Sequence, residues 1–267
     1  MCNTNNIFSS SKYLTKRYTK SMKNEKPELL CIAHRGAMGH APENTLTSVK
    51  KAMELGADCI EIDAYYVDGH LVIFHDERLD RTSNGTGYLS DHSFSSLREL
   101  DVGNGEHIPT LEEVCELIDS RVCLNIELKG ENTVQPVATL VLKLIESGWD
   151  KESFLISSFR HRELLEMKKL IPDIKIGALL HGILVDDAKF AEDLGAFSVH
   201  PSLECIDKRF VDDAHARCLR VYAYGADHID DIKKMYRLGV DGVFTGFPER
   251  VIKNFSQGDF TTRWCER

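Results

Sequence analysis

Eight short apolar stretches recur along this 267-residue chain with amphipathic segments between them, and this alternation constrains the fold more than any other feature. The stretches lie near 29–34, 58–63, 122–128, 153–159, 175–181, 196–201, 219–224 and 241–246. Helical periodicity occupies 43–55, 110–120, 134–147, 161–171, 186–194, 207–217 and 228–238. Continuous apolar runs mark strands buried on both faces, and helical crossovers between them make neighbouring strands parallel. Eight such units are the number that closes an α/β barrel, and the length suits one domain of that kind. The expected fold class is α/β, a (β/α)8 TIM barrel spanning 28–256. A hairpin return at 70–76 and a small insertion at about 77–121, after the second strand, are additional to the eight. Residues 1–27 read as a basic, disordered tail and 257–267 as a C-terminal tail.

Two of the apolar stretches end in charge. Glu61-Ile62-Asp63 ends the second, and Glu127-Leu128-Lys129 the third. Side chains alternate faces along a strand, so Glu61 and Asp63 share one face, and Asn125, Glu127 and Lys129 share another. Charges at the end of a buried strand are costly unless paired or bound to metal. Three carboxylates and a lysine at adjacent strand ends indicate a hard divalent cation, Mg2+ or Ca2+, beside something anionic. His34-Arg35 follows the first strand directly, so three neighbouring strand ends converge where α/β barrels carry their active sites.

Asp68-Gly69 between apolar runs marks a hairpin. A three-residue loop with Gly69 as its bulge pairs 66 with 70 and sets His75 opposite Glu61. A strict two-residue loop pairs 62 with 75 and aims His75 away. The bulged register is expected, because it brings His75 to the carboxylates.

Composition narrows the partners. Net charge is −9, and the first 24 residues hold five bases and no acid, so the body is more acidic than the whole. That balance argues against nucleic acid as a partner. No run approaches a membrane span, and no stable membrane association is expected. The eight cysteines are scattered without a Cys-x-x-Cys pair. They read as free thiols in a reducing compartment, the cytoplasm.

The ordered set of motifs resembles the glycerophosphodiester phosphodiesterase family, in particular its small cytosolic bacterial type. The set comprises Ala33-His34-Arg35-Gly36, Pro42-Glu43-Asn44-Thr45, Glu61-Ile62-Asp63, Asp68-Gly69, His75-Asp76, Leu79 to Gly87, Ile108 to Glu113, Asn125 to Lys129 and Asp241 to Pro248. The resemblance covers about 29–252. It implies metal-dependent hydrolysis of a small-molecule glycerophosphodiester to sn-glycerol 3-phosphate and an alcohol. Glu61, Asp63 and Glu127 would hold the cation, and His34 and His75 would be the acid–base pair, imidazole titrating near the working pH. Arg35 can grip two phosphate oxygens and Lys129 adds a point charge. Glu43 and Tyr222 complete the expected substrate-binding set, Tyr222 standing where family members usually carry Trp or Phe. For Glu43 and Asn44 a plain helix N-terminus is an equal reading. His200, at the end of the 196–201 strand, is the one other histidine placed near the pocket. Which histidine is the acid stays open, as does attack by water against a cyclic-phosphate route. A lysophospholipase D-like lipid phosphodiesterase and a non-catalytic phosphate-binding protein on the same barrel are the alternatives.

Overall fold

The strands form where apolar runs of four to nine residues can be buried on both faces. In chain order they are β1 (Leu30–Ala33), β2 (Cys59–Val67), β3 (His70–Ile73), β4 (Cys123–Leu128), β5 (Phe154–Ser158), β6 (Lys175–Leu180), β7 (Ser198–Pro201), β8 (Arg220–Ala223) and β9 (Gly242–Thr245). The computed structural model describes residues 29–255 and Trp264. The expected 1–27 tail lies outside the described residues, as does the 257–267 tail apart from Trp264. All strands except β3 pair in parallel in the order β1-β9-β8-β7-β6-β5-β4-β2, and β1 pairs with β2 to close the eight-stranded barrel. The helices outside it are α1 (Leu46–Glu54), α2 (Phe94–Arg98), α3 (Leu111–Ile118), α4 (Val134–Glu146), α5 (His161–Leu170), α6 (Lys189–Asp193), α7 (Lys208–Ala216), α8 (Ile229–Leu238) and α9 (Pro248–Phe255). Sequence periodicity did not signal α2, a single turn, or α9, which begins at Pro248 straight after β9.

Strand alternation sorts the core into two layers. Outward residues such as Cys31, Ile60, Ile62, Ile126 and Ile156 pack on the helices. Inward residues Leu30, Ile32, Cys59, Cys123, Leu155, Tyr222 and Phe244 fill the barrel floor. Trp264 belongs to that floor. It is 2 % exposed, its ring lies 5.7 Å from Tyr222, and its Nε1 donates to the Ser153 carbonyl at 3.0 Å, beside the start of β5.

β2 is long enough to leave the barrel. Its first half pairs with β1 and β4, and its last four residues pair with the antiparallel β3. Ala64 pairs with Leu128 on one edge and Ile73 on the other, so β3 takes over the β1 edge above the point where β1 ends. The register corrects the expected one: Val67 pairs with His70, the strict two-residue loop, with both Asp68 and Gly69 at positive φ. That is the geometry of a type I′ turn, whose twist matches the flanking strands. β3 ends at Ile73, so His75 stands beyond the ladder and strand alternation no longer fixes its direction.

The 77–121 insertion packs Leu79, Leu89, Leu97, Val102 and Ile108 against Val67, Val72 and Phe74 of the hairpin in a separate apolar cluster. It buttresses the hairpin and holds the short 3-10 turn Leu79–Arg81 beside the barrel mouth.

Candidate active site

The turn after β1 is built by two consecutive left-handed residues, Arg35 (φ 51°) and Gly36 (φ 73°). A Cβ on Gly36 would lie 2.6 Å from the Ser48 carbonyl carbon on α1, so only glycine permits this packing. The reversal points the Arg35 backbone N–H at Glu61 Oε2, 2.9 Å away, and its guanidinium along the barrel rim. Helix α1 starts later than expected. Thr45 is its N-cap, in a capping box with Ser48, while Asn44 is left-handed at φ 59°. Glu43 and Asn44 therefore lie in the loop, not the helix, and both reach the site. Asn44 Nδ2 donates to Asp63 Oδ2 at 2.8 Å.

β2 and β4 pair in the register Asp63↔Glu127, with Glu61 opposite Asn125. Glu61, Asp63 and Glu127 thus bring one carboxylate oxygen each to within 4.8 Å of one another. All three are buried, and Glu61 Oε1 and Asp63 Oδ1 accept no hydrogen bond. Burial, reinforced by the neighbouring carboxylates, raises Glu61 well above the usual range and Glu127 to about 7. Oxygen-only donors, oxygens without partners and mutual repulsion together fit a hard divalent cation.

Cations of the protein surround the cluster. Lys129 Nζ donates to Glu127 Oε1 at 2.9 Å and stands 3.6 Å from Asp63 Oδ1. Burial lowers its affinity for a proton, but those two carboxylates outweigh it and hold Lys129 charged. Arg35 Nε lies 3.5 Å from Asp63 Oδ2, and its NH1 donates to Glu43 Oε1 at 2.8 Å. His34 continues the inward parity of β1 and sits with Nε2 4.0 Å from Glu61 Oε2. Burial and the Arg35 charge depress it to about 3, so its ring is neutral near pH 7. His75 Nδ1 pairs with Asp76 Oδ1 at 2.5 Å, leaving Nε2 for the site.

These groups open into a cavity of about 180 Å³ lined by His34, Arg35, Glu61, His75, Asn125 and Glu127 on one side. Leu179, His181, Tyr224, Phe159 and Phe244 face them across it. Its walls are therefore divided, charged on the β1–β4 side and mainly aromatic and apolar on the β5–β9 side, where Ser157, His181 and the Tyr224 hydroxyl are the polar groups.

Seven of the expected residues meet at this mouth; two expectations need correction. Tyr222 points inward, but one layer lower, 2 % exposed on the floor, whereas Tyr224 lines the cavity. Glu43 is not free for substrate: its carboxylate accepts from Arg35 and from both terminal nitrogens of Arg81. An anion so held orients cations and does not bind phosphate. His200 is fully buried inside the barrel, bonded to Ser198 Oγ at 2.8 Å and packed on Gly177, away from the cavity lining. Sequence reasoning passed over His181, Asp76 and Arg81. The last two stand within quoted motifs, which was the available signal.

Comparison with known proteins agrees with this geometry. The profile of the glycerophosphoryl diester phosphodiesterase family matches residues 34–250. A glycerophosphodiester phosphodiesterase of Caldanaerobacter subterraneus subsp. tengcongensis is 39 % identical over 239 residues, covering 86 % of this chain and 98 % of that protein. One from Bacillus altitudinis is 34 % identical, covering 83 % and 96 %. The structure of an Oleispira antarctica phosphodiesterase in complex with the product sn-glycerol-3-phosphate superposes with a TM-score of 0.77 at 32 % identity, covering 85 % and 96 %. With the motifs in order, the closed barrel and these matches, the chain is an enzyme and belongs to the glycerophosphoryl diester phosphodiesterase family.

Proposed function

We propose that the protein hydrolyses glycerophosphodiesters to sn-glycerol 3-phosphate and an alcohol, using one divalent cation and two histidines. The observation that carries this reading is the trio of buried carboxylates, with unpartnered oxygens on Glu61 and Asp63, against which Arg35 and His34 stand. Glu61, Asp63 and Glu127 would hold Mg2+ or Ca2+, which supplies Lewis-acid stabilisation of charge on a phosphoryl oxygen. Arg35 and Lys129 bind the remaining phosphate oxygens and balance the charge that builds up in the transition state. His34 is neutral near pH 7 and turns Nε2 toward Glu61, and Nε2 is the atom assigned to accept a proton from the attacking hydroxyl. His75 would deliver a proton from Nε2 to the leaving alkoxide in its charged form, which burial disfavours and the Asp76 carboxylate at Nδ1 favours. We take 28–256 as one catalytic domain. Cysteines buried in the core without a disulfide, Cys59, Cys115 and Cys123 among them, support a cytoplasmic setting. No helix among the described residues is long and apolar enough to cross a membrane.

One observation favours a second substrate, a monoacyl glycerophosphodiester. The loop after cavity-lining His181 carries Ile183 and Val185, 83 % and 90 % exposed, and Phe159, which also lines the cavity, is half-exposed. The deciding experiment measures glycerol 3-phosphate release from glycerophosphocholine, glycerophosphoethanolamine and glycerophosphoglycerol, with and without EDTA, and head-group release from lysophosphatidylcholine in parallel. Release from the deacylated diesters that stops with EDTA is expected. Turnover undiminished by exhaustive chelation contradicts the metal role, and turnover of the lysolipid alone favours the second reading.

A further inference from the structure

Between the two arms of the site stands a residue to which neither reading gives a role. Arg81, at the end of the 3-10 turn Leu79–Arg81, uses both edges of its guanidinium. NH1 and NH2 donate to Glu43 Oε2 and Oε1 at 2.9 and 2.7 Å, while Nε and NH2 donate to Asp76 Oδ2 and Oδ1 at 2.5 and 3.0 Å. Glu43 in turn holds Arg35, and Asp76 faces His75. The result is an unbroken chain Arg35–Glu43–Arg81–Asp76–His75, alternating in charge from the loop after β1 to the hairpin return.

We propose that Arg81 is a positioning residue that fixes the phosphate-binding arm, Arg35 through Glu43, at a set distance from the proton-transfer arm, His75 through Asp76. The inference rests on the roles of Arg35 and His75 given under Proposed function. The two arms come from different elements, and among the described contacts Arg81 is the side chain that bonds to both. Its backbone is anchored by Leu79, which is fully buried in the insertion cluster. The Arg81 side chain itself is 48 % exposed. Ion pairs that open to solvent contribute only about 0–1 kcal/mol to stability, so its loss leaves the fold standing. Catalysis is less forgiving, since a misplacement of about 1 Å can slow a reaction on the order of 10²-fold. Lysine is a poor substitute, because its ammonium cannot give each carboxylate the paired N–H bonds that the planar guanidinium gives both Glu43 and Asp76.

The test compares Arg81→Gln, Arg81→Lys, Glu43→Gln and Asp76→Asn in the full chain with its cation, using Arg78→Gln as control. Arg78 pairs with Asp80 on the surface three residues away. With glycerophosphocholine, Glu43→Gln should mainly raise KM and Asp76→Asn mainly lower kcat. Arg81→Gln should do both, with kcat falling about 10- to 100-fold. Arg81→Lys should recover little, and the control should match wild type. The double variant Arg81→Gln/Asp76→Asn should lose no more kcat than the worse single variant, as members of one network do. Melting temperatures should stay close to wild type. NMR of the His75 ring provides a readout independent of turnover. Its Nδ1 proton should be resolved in wild type and lost or broadened in Arg81→Gln. Wild-type kinetics in Arg81→Gln, losses that multiply in the double variant, or an unchanged His75 resonance overturn the inference. A wild type that releases no glycerol 3-phosphate overturns the functional reading instead, and the His75 resonance still decides the role of Arg81.

Discussion

At the scale of single residues, the site is a problem of charge placed where water is scarce. Three carboxylates within 4.8 Å cannot all stay ionised without a counter-charge, and Lys129 and Arg35 meet only part of that need. Glu127→Gln removes one ligand charge while keeping shape, so cation affinity measured by calorimetry should fall with little change in melting temperature. A variant that binds the cation as tightly as wild type would exclude Glu127 as a ligand. His34→Ala and His75→Ala should each lower turnover by ~10²–10⁴-fold, the usual worth of acid–base catalysis. A nitrophenyl phosphodiester separates them, because its leaving group departs without protonation. It should rescue the variant lacking the acid, assigned to His75, and not the one lacking the base. Equal rescue of both would contradict the assignment. The carboxylates were legible in the sequence because a period of two fixes their face and a buried strand makes their charge conspicuous. Arg81 and Asp76 were less so: their roles come from partners up to 38 positions away, which no local period reports.

Elements carry these side chains, and the element that does most here is the turn after β1. Gly36 is held at positive φ against Ser48, whose hydroxyl donates to the Arg35 carbonyl at 2.9 Å. Gly36→Ala must move α1 or unwind the turn, costing about 1–3 kcal/mol by analogy with overpacked cores. It should also displace the Arg35 N–H from Glu61, so activity should fall further than the change in stability alone explains. Denaturant melts and kcat/KM on the same preparation test this, and an alanine variant with wild-type values in both would show that the turn tolerates a side chain. The strands and most helices were readable because burial on two faces and a 3.6 period leave strong patterns. The hairpin was readable as an element but not in register. Asp68-Gly69 permits either loop, and the expectation was drawn toward the one that faced His75 to Glu61. The chain solves the same problem differently, ending β3 at Ile73 so that His75 swings in from outside the ladder. The start of α1 departs from its periodicity for a related reason: Thr45 is the cap, and Glu43 and Asn44 in the preceding loop bond to Arg35 and Asp63.

Across the whole molecule, the barrel is closed at one end by apolar packing and left polar at the other. Trp264 supplies part of the floor from a segment that composition alone consigned to a tail. Trp264→Ala should cost about 3–5 kcal/mol, as large aromatic truncations do, and lower the melting temperature on the order of 10 °C. A melting point within 2 °C of wild type would mean the ring contributes little. With the proposed cation at the polar end, stability is expected to depend jointly on cation and pH. Without a cation, Glu127 and Glu61 have folded pKa values raised above their ordinary 4.5. The folded state then binds more protons than the unfolded one, for Glu127 in the window from 4.5 to about 7 and for Glu61 in the same sense, so their contribution to stability is fullest at low pH and declines as pH rises. His34 and His200, both depressed to about 3 by burial, act in the opposite sense, losing stability as pH falls from 6.5. The raw melting curve mixes these trends. The increment from adding Mg2+ or Ca2+ to the EDTA-treated protein isolates the carboxylates, because the cation competes with the protons they hold. That increment should be small at pH 5.5, where protons occupy the site, and grow toward pH 8. At about 100 Kd of cation it should reach roughly 2.7 kcal/mol. An increment that stays flat from pH 5.5 to 8 would mean that the cation, if bound, is held somewhere other than Glu61, Asp63 and Glu127.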